Sequence, residues 1–178
     1  MKRFGKLGSA LLGSMLSVTA CASDATPPTV PPVARVDIDR FMGDWYVIAH
    51  IPSRQERDAW GAVERYAKNA DGTIGTTFRF RKGSFEAPVQ TMTPKGFVRP
   101  GTNNAVWGMQ FFWPIRAEYV IVDLAPDYSS TIVARSKRDY AWIMARTPRM
   151  PAAQYEAAVR KLQAIGYDTT KLRKVPQR

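Results

Sequence analysis

A chain of 178 residues is long enough for one domain with a sizeable core, and its formal net charge is +11. Lys2, Arg3 and Lys6 fall in the first twenty residues, which hold no acid, so the rest of the chain carries +8 (23 basic against 15 acidic). That excess suggests an acidic neighbour, but the basic residues are scattered singly rather than in a block. Solvated outer faces of strands explain them more simply than nucleic acid, the weakest class for this chain. A single cysteine excludes an intramolecular disulfide.

In chain order, a short cationic head, "MKRFGK", precedes the apolar run "LGSALLGSMLSV". The run has the length of a signal-peptide core and is too short to span a bilayer as a helix. It ends "SVTAC", where Val18, Thr19 and Ala20 lead into Cys21. This resembles the lipobox of bacterial lipoproteins. The resemblance implies a signal peptide over 1–20, lipidation of the Cys21 sulfur and cleavage before it. Ala22, where an aspartate would retain a lipoprotein at the inner membrane, implies the outer membrane, with the domain on its periplasmic side. One acyl chain binds a membrane only marginally, so stable anchoring takes more than one, as bacterial lipoproteins carry.

The segment "ASDATPPTVPPVA" at 22–34 holds four prolines and little to pack. With Cys21 it is expected to form an extended tether over 21–34, leaving 35–178 as the domain. Between Val36 and Gly43 a short helical turn is expected, capped by Asp37 or Asp39.

From Trp45 onward, eight short segments rich in β-branched and aromatic residues alternate with turn signals. They cover 45–51, 61–68, 73–82, 89–99, 105–113, 118–124, 130–136 and 140–147. The connections are short enough to be hairpins. An all-β fold follows: an eight-stranded antiparallel up-and-down barrel, because closure removes exposed edges, with a β-sandwich as the competing arrangement. Then Pro151 opens a helix over about 151–165 in which Tyr155, Ala158, Val159, Leu162 and Ile165 recur at helical spacing, and Gly166 stops it. After eight strands, one amphipathic helix packs outside the barrel.

Alternation assigns faces. Phe78 and Phe80 share one face, as do Trp107, Met109 and Phe111 on the fifth segment. On the last segment Tyr140, Trp142 and Met144 alternate with the small face of Ala141, Ile143 and Ala145, which is expected to lie beneath the helix. His50 falls one step out of phase with Trp45 and is expected to be exposed. Periodicity alone favours a barrel filled by its own side chains over a cup with room for one ligand.

Three short stretches then bear on family. "GDWY" contains Gly43 and Trp45 at the start of the first strand, after a helical turn. "DLAPDY" ends in Asp127 and Tyr128 between the sixth and seventh strands, and "WIMARTP" carries Arg146 at the end of the eighth. Their order on one meander resembles the lipocalins, over essentially residues 35–178. The lipobox, the "RDYAWIMARTP" run and "GYDTTKL" after the helix look most like the bacterial outer-membrane lipocalins. That resemblance implies a fatty acid or lysophospholipid (palmitate is one such acyl ligand) held in the barrel for lipid storage or transport and membrane maintenance. It also implies that Gly43, Trp45, Asp127, Tyr128 and Arg146 are structural, Trp45 and Arg146 meeting at the closed end. The expected cavity residues are Phe78, Phe80, Trp107, Met109, Phe111, Trp142 and Met144, with Arg116 in a loop at the mouth to meet an anionic head group.

An enzyme is not expected, nor a cofactor or metal: His50 is the only histidine, and no phosphate loop or Gly-x-Ser-x-Gly elbow occurs. The lipocalin prostaglandin synthase uses a cavity cysteine that this chain lacks. The alternative function is a passive envelope lipoprotein with a filled barrel acting through protein contacts. A homodimer stands open as a further partner.

Overall fold

The computed structural model describes residues 28–178. The expected signal peptide, Cys21 and the first part of the tether lie outside them. Asp37 caps a single helical turn, α1 (Ile38–Phe41), its carboxylate accepting the amides of Asp39 and Arg40 at 3.0 and 3.3 Å. Ten strands follow: β1 (Gly43–Ile51), β2 (Ala59–Lys68), β3 (Ile74–Lys82), β4 (Gln90–Met92), β5 (Lys95–Val98), β6 (Val106–Phe112), β7 (Ile115–Leu124), β8 (Ser130–Ala134), β9 (Ala141–Ala145) and β10 (Arg173–Lys174). All neighbours are antiparallel, and β9 pairs back onto β1 through residues 46–51, which closes the sheet.

The barrel is eight-stranded in substance. β4 and β5 are two pieces of one staple on β3, broken at Thr93 and Pro94. β10 fills a gap. β1 and β2 pair only at Gly43–Tyr46, and where they splay the C-terminus wedges between them. There Val175 donates to the Ile48 carbonyl and Gly61 to that of Pro176, while the Gln177 amide bridges the carbonyls of Val47 and Ala62 at 2.8 and 2.9 Å.

Helix α2 (Ala152–Ala164) starts at Pro151, stops at Gly166 with φ +87°, and buries Ala158 and Leu162. They pack with Ala141 and Ile143 of β9, the small face that alternation placed beneath the helix. The interior forms a second core, which includes Trp45, Val47, Phe78, Phe80, Trp107 and Met144.

Three expectations are corrected. The proline-rich segment is not all tether: Val30 is fully buried, the amide of Thr29 donates to Ser136 Oγ at 2.8 Å and that of Val33 to the Ile121 carbonyl at 2.8 Å. Val30 supplies a buried apolar side chain, and Thr29 and Val33 supply the amides that proline lacks, so the domain begins by Thr29. His50 is buried rather than exposed, because the β1–β9 register shifts between Val47 and Ala49. The extra residue turns Ala49 and Ile51 toward the helix and brings His50 inside, paired with Trp142. Arg116 is not in a loop: only Trp113 and Pro114, joined by a cis peptide bond, separate β6 from β7.

Candidate ligand cavity

The two ends of the barrel differ. At the closed end the Arg146 guanidinium lies 3.8 Å from the Trp45 ring centroid and donates to the carbonyls of Asp44 and Arg40 at 2.9 and 2.7 Å. Trp45 Nε1 donates to the Phe41 carbonyl at 2.8 Å. Gly43 sits at φ +95°, and a Cβ there would lie 3.3 Å from Arg146 Nη1, so both backbone and space require glycine. The Tyr128 hydroxyl accepts the Asp37 amide at 2.8 Å while Arg40 covers its ring at 4.0 Å. Asp127 accepts from the Ser129 amide and hydroxyl at 3.0 and 2.7 Å, bonds that hold its carboxyl below the usual range. The residues of all three signature stretches thus converge on α1 and seal this end.

Above the seal lies a layer of aromatic side chains. Phe41 touches Trp45, Tyr66 and Trp107, and Tyr66, Trp107 and Tyr119 touch one another, with ring centroids 5.0 to 6.2 Å apart. Trp107 is therefore floor rather than wall. Phe80 and Met144 are likewise buried in the interior core without lining the opening.

Toward the other end a cavity of about 360 Å³ opens between the loops 52–58 and 135–140 and the β6–β7 hairpin. That volume lies within the range of small-molecule sites. Of the expected lining, Phe78, Met109, Phe111 and Trp142 face it, joined by Met92, Phe112, Ala117 and Tyr119. Arg116 does not. Adjacent Ala117 faces the cavity, so Arg116 points out and stacks on Phe97 at 3.5 Å. The arginines that do border the opening are Arg54 and Arg135, neither visible as special in the sequence. Arg135 is tied to Asp139 at 3.4 Å and lies 5.0 Å from the Tyr140 ring.

The lining also carries acids that sequence reasoning missed. Glu56 near the mouth is buried, accepts from Ser53 Oγ at 3.0 Å and Trp142 Nε1 at 3.2 Å, and lies 3.8 Å from His50 Nδ1. Glu64 stands deeper, paired in register with Trp45 on one side and Phe78 on the other. Burial raises its carboxyl from an ordinary 4.5 to about 8, opposed by a hydrogen bond to Tyr66, so the group is neutral at pH 7. The hydroxyls of Tyr66 and Tyr119 meet at 2.5 Å, and burial drives both phenols well above their ordinary range. The signal that could have found Glu64 is period-two alternation in 61–68, which puts position 64 in phase with Tyr66. Among the described residues no three His, Cys, Asp or Glu side chains gather as a metal site would require.

Residues 36–177 match the family described as lipocalin-like domain, and the chain belongs to that family. Its members are typically non-enzymatic proteins that bind a small hydrophobic ligand. Similar proteins include temperature-induced lipocalin-1 of Arabidopsis thaliana, 31% identical over 157 residues, covering 82% of this chain and 81% of that protein. The outer membrane lipoprotein Blc of Escherichia coli K12 is 28% identical over 157 residues and 86% of each chain. Among solved structures, insecticyanin from the tobacco hornworm Manduca sexta superimposes with a TM-score of 0.65 at 16% identity, covering 84% of this chain and 85% of its own. Lobster apocrustacyanin A1 does so with 0.61 at 14%, covering 86% and 94%. These last two likenesses establish the fold alone.

Proposed function

We propose that the protein is a membrane-anchored lipid-binding lipocalin that holds one fatty acid or lysophospholipid, serving lipid storage or transport and maintenance of the outer membrane. The observation that carries this reading is the apolar cavity and what rims it. Its walls of Phe78, Met92, Met109, Phe111 and Trp142 suit an acyl chain, for which burial contributes ~0.8 kcal/mol per CH₂. The acyl chain enters tail first and the anionic head stays near Arg54 and Arg135. The hairpin beside the opening exposes Phe111, Phe112, Trp113 and Ile115, with Trp113 at 85%. An exposed apolar cluster of that kind at the rim of a lipid cavity faces a bilayer naturally. Lipidation of Cys21 would keep it there, and the likeness to Blc supports that address.

Native mass spectrometry of the intact protein extracted from its own membranes, followed by titration of the delipidated form with hexadecanoic acid and with a lysophospholipid, tests the reading. One lipid per protein and saturable uptake are expected. Protein that is empty and refuses both would make it a passive envelope lipoprotein working through its surface. Loss of membrane association in Cys21→Ala tests the anchor separately.

A further inference from the structure

The floor of the cavity carries polar side chains among aromatic and Met residues: Glu64 and Tyr119 line it and Tyr66 lies behind them. Glu64, Tyr66 and Tyr119 form a polar cluster in which the hydroxyls of Tyr66 and Tyr119 meet at 2.5 Å and the Glu64 carboxyl lies beside them. All three groups are enclosed, and Glu64 and Tyr119 line the cavity. The Tyr66–Tyr119 contact uses one phenol proton, which leaves the second phenol and the carboxyl to bond what enters the cavity that Glu64 and Tyr119 border. The carboxyl also keeps an oxygen able to accept. Around this spot the other groups are Trp45, Phe78, Met109, Trp107, whose indole N–H is spent on the Asn104 carbonyl at 2.7 Å, and Thr76, opposite Tyr66 in register, whose buried hydroxyl has no partner.

We propose that Glu64, Tyr66 and Tyr119 form a second polar subsite, at the inner end of the cavity, that hydrogen-bonds an oxygen on the buried end of the ligand. The preferred lipid is then polar at both ends: an acyl chain whose far end bears a hydroxyl or carbonyl, the hydroxyl matching one free donor and one free acceptor. This deepens the lipid-binding reading and rests on it. An unsubstituted methyl end placed against this floor offers its polar groups no partner. A site built to hydrogen-bond a hydroxyl rejects the analogue lacking it far more strongly than an apolar pocket rejects an extra methylene.

The test titrates the full-length delipidated protein, following intrinsic tryptophan fluorescence, with two series of matched chain lengths: saturated fatty acids and their ω-hydroxy counterparts. At the best-fitting length the ω-hydroxy acid is expected to bind about tenfold more tightly or better. In Glu64→Leu that preference disappears or reverses, while Glu64→Gln, which keeps a donor and an acceptor, retains part of it. Equal or tighter binding of the plain acids at every length would overturn the inference while leaving the lipid-binding reading intact, as would a hydroxyl preference that survives in Glu64→Leu. Binding of neither series would sink both. The wild-type comparison decides by itself should a variant fail to fold.

Discussion

Arg146 lies over Trp45, 3.8 Å from the ring centroid, across the seam where β9 meets β1. Its two carbonyl acceptors belong to α1 and to the start of β1, so one side chain ties barrel closure to the turn that plugs the barrel. A lysine keeps the charge and loses the planar stack and the forked donors. Arg146→Ala is expected to lower stability by about 2–3 kcal/mol and Arg146→Lys by somewhat less. Urea unfolding monitored by tryptophan fluorescence measures both, and an unchanged midpoint in Arg146→Ala would refute a closing role.

Glu64 makes stability depend on pH. Its folded carboxyl titrates near 8 against 4.5 when free, so across that interval the native state holds a proton that the unfolded state has released. Stability from this group is therefore greatest below pH 4.5, falls as pH rises toward 8 and levels off above it. Glu64→Gln removes the slope and is expected to gain about 3 kcal/mol at pH 7, less whatever the lost hydrogen bond to Tyr66 contributes. Thermal unfolding of the two proteins across pH 5 to 9 checks the sign: their difference should widen with pH.

The C-terminal wedge should be needed for the splayed part of the barrel. Gln177→Ala frees the carbonyls of Val47 and Ala62, at a cost of about 1–3 kcal/mol. Truncation before Arg173 also exposes the Gly61 amide, which donates to Pro176. Hydrogen exchange should show Gly61 unprotected in the truncated chain, while the β2–β3 amides around Phe78 stay protected.

The hairpin tip should matter to membranes and not to folding. Phe112 and Trp113 are exposed, so the double change to serine is expected to alter stability by less than about 0.5 kcal/mol. Binding to vesicles of zwitterionic and anionic lipid, with protein lacking its acyl anchor, should nevertheless fall severalfold. A vesicle affinity equal to wild type would remove the hairpin from the membrane contact.

Much of this architecture was legible in the chain because its determinants are local. Alternation marks which strand residues share a face, Pro151 and Gly166 bracket the helix, and Ala141, Ile143 and Ala145 announce the strand that lies beneath it. The signature residues could be read as a set before they met in space. His50 shows where local reading fails: a single extra residue in β1 reverses the parity of everything after it, and the bulge depends on the register against β9 rather than on any residue in the stretch. Val30 and Val175 fail for a related reason. Each sits in a segment too short or too rich in proline to declare itself, and becomes buried only because a distant strand leaves a place for it.

The cavity divides along the same line. The sequence by itself determined that a closed barrel with an aromatic interior would form, since period-two patterning and turn chemistry act over a few residues. Only the tertiary structure decided how that interior is shared out. Trp107 is floor because Phe41, Tyr66 and Tyr119 pack around it, Arg116 is outside because β7 already runs through it and alternation turns its neighbour Ala117 inward, and Glu64 is inside and neutral. An acid is placed in a core only when the surrounding strands together exclude water and supply a partner, and that is a property of three strands at once.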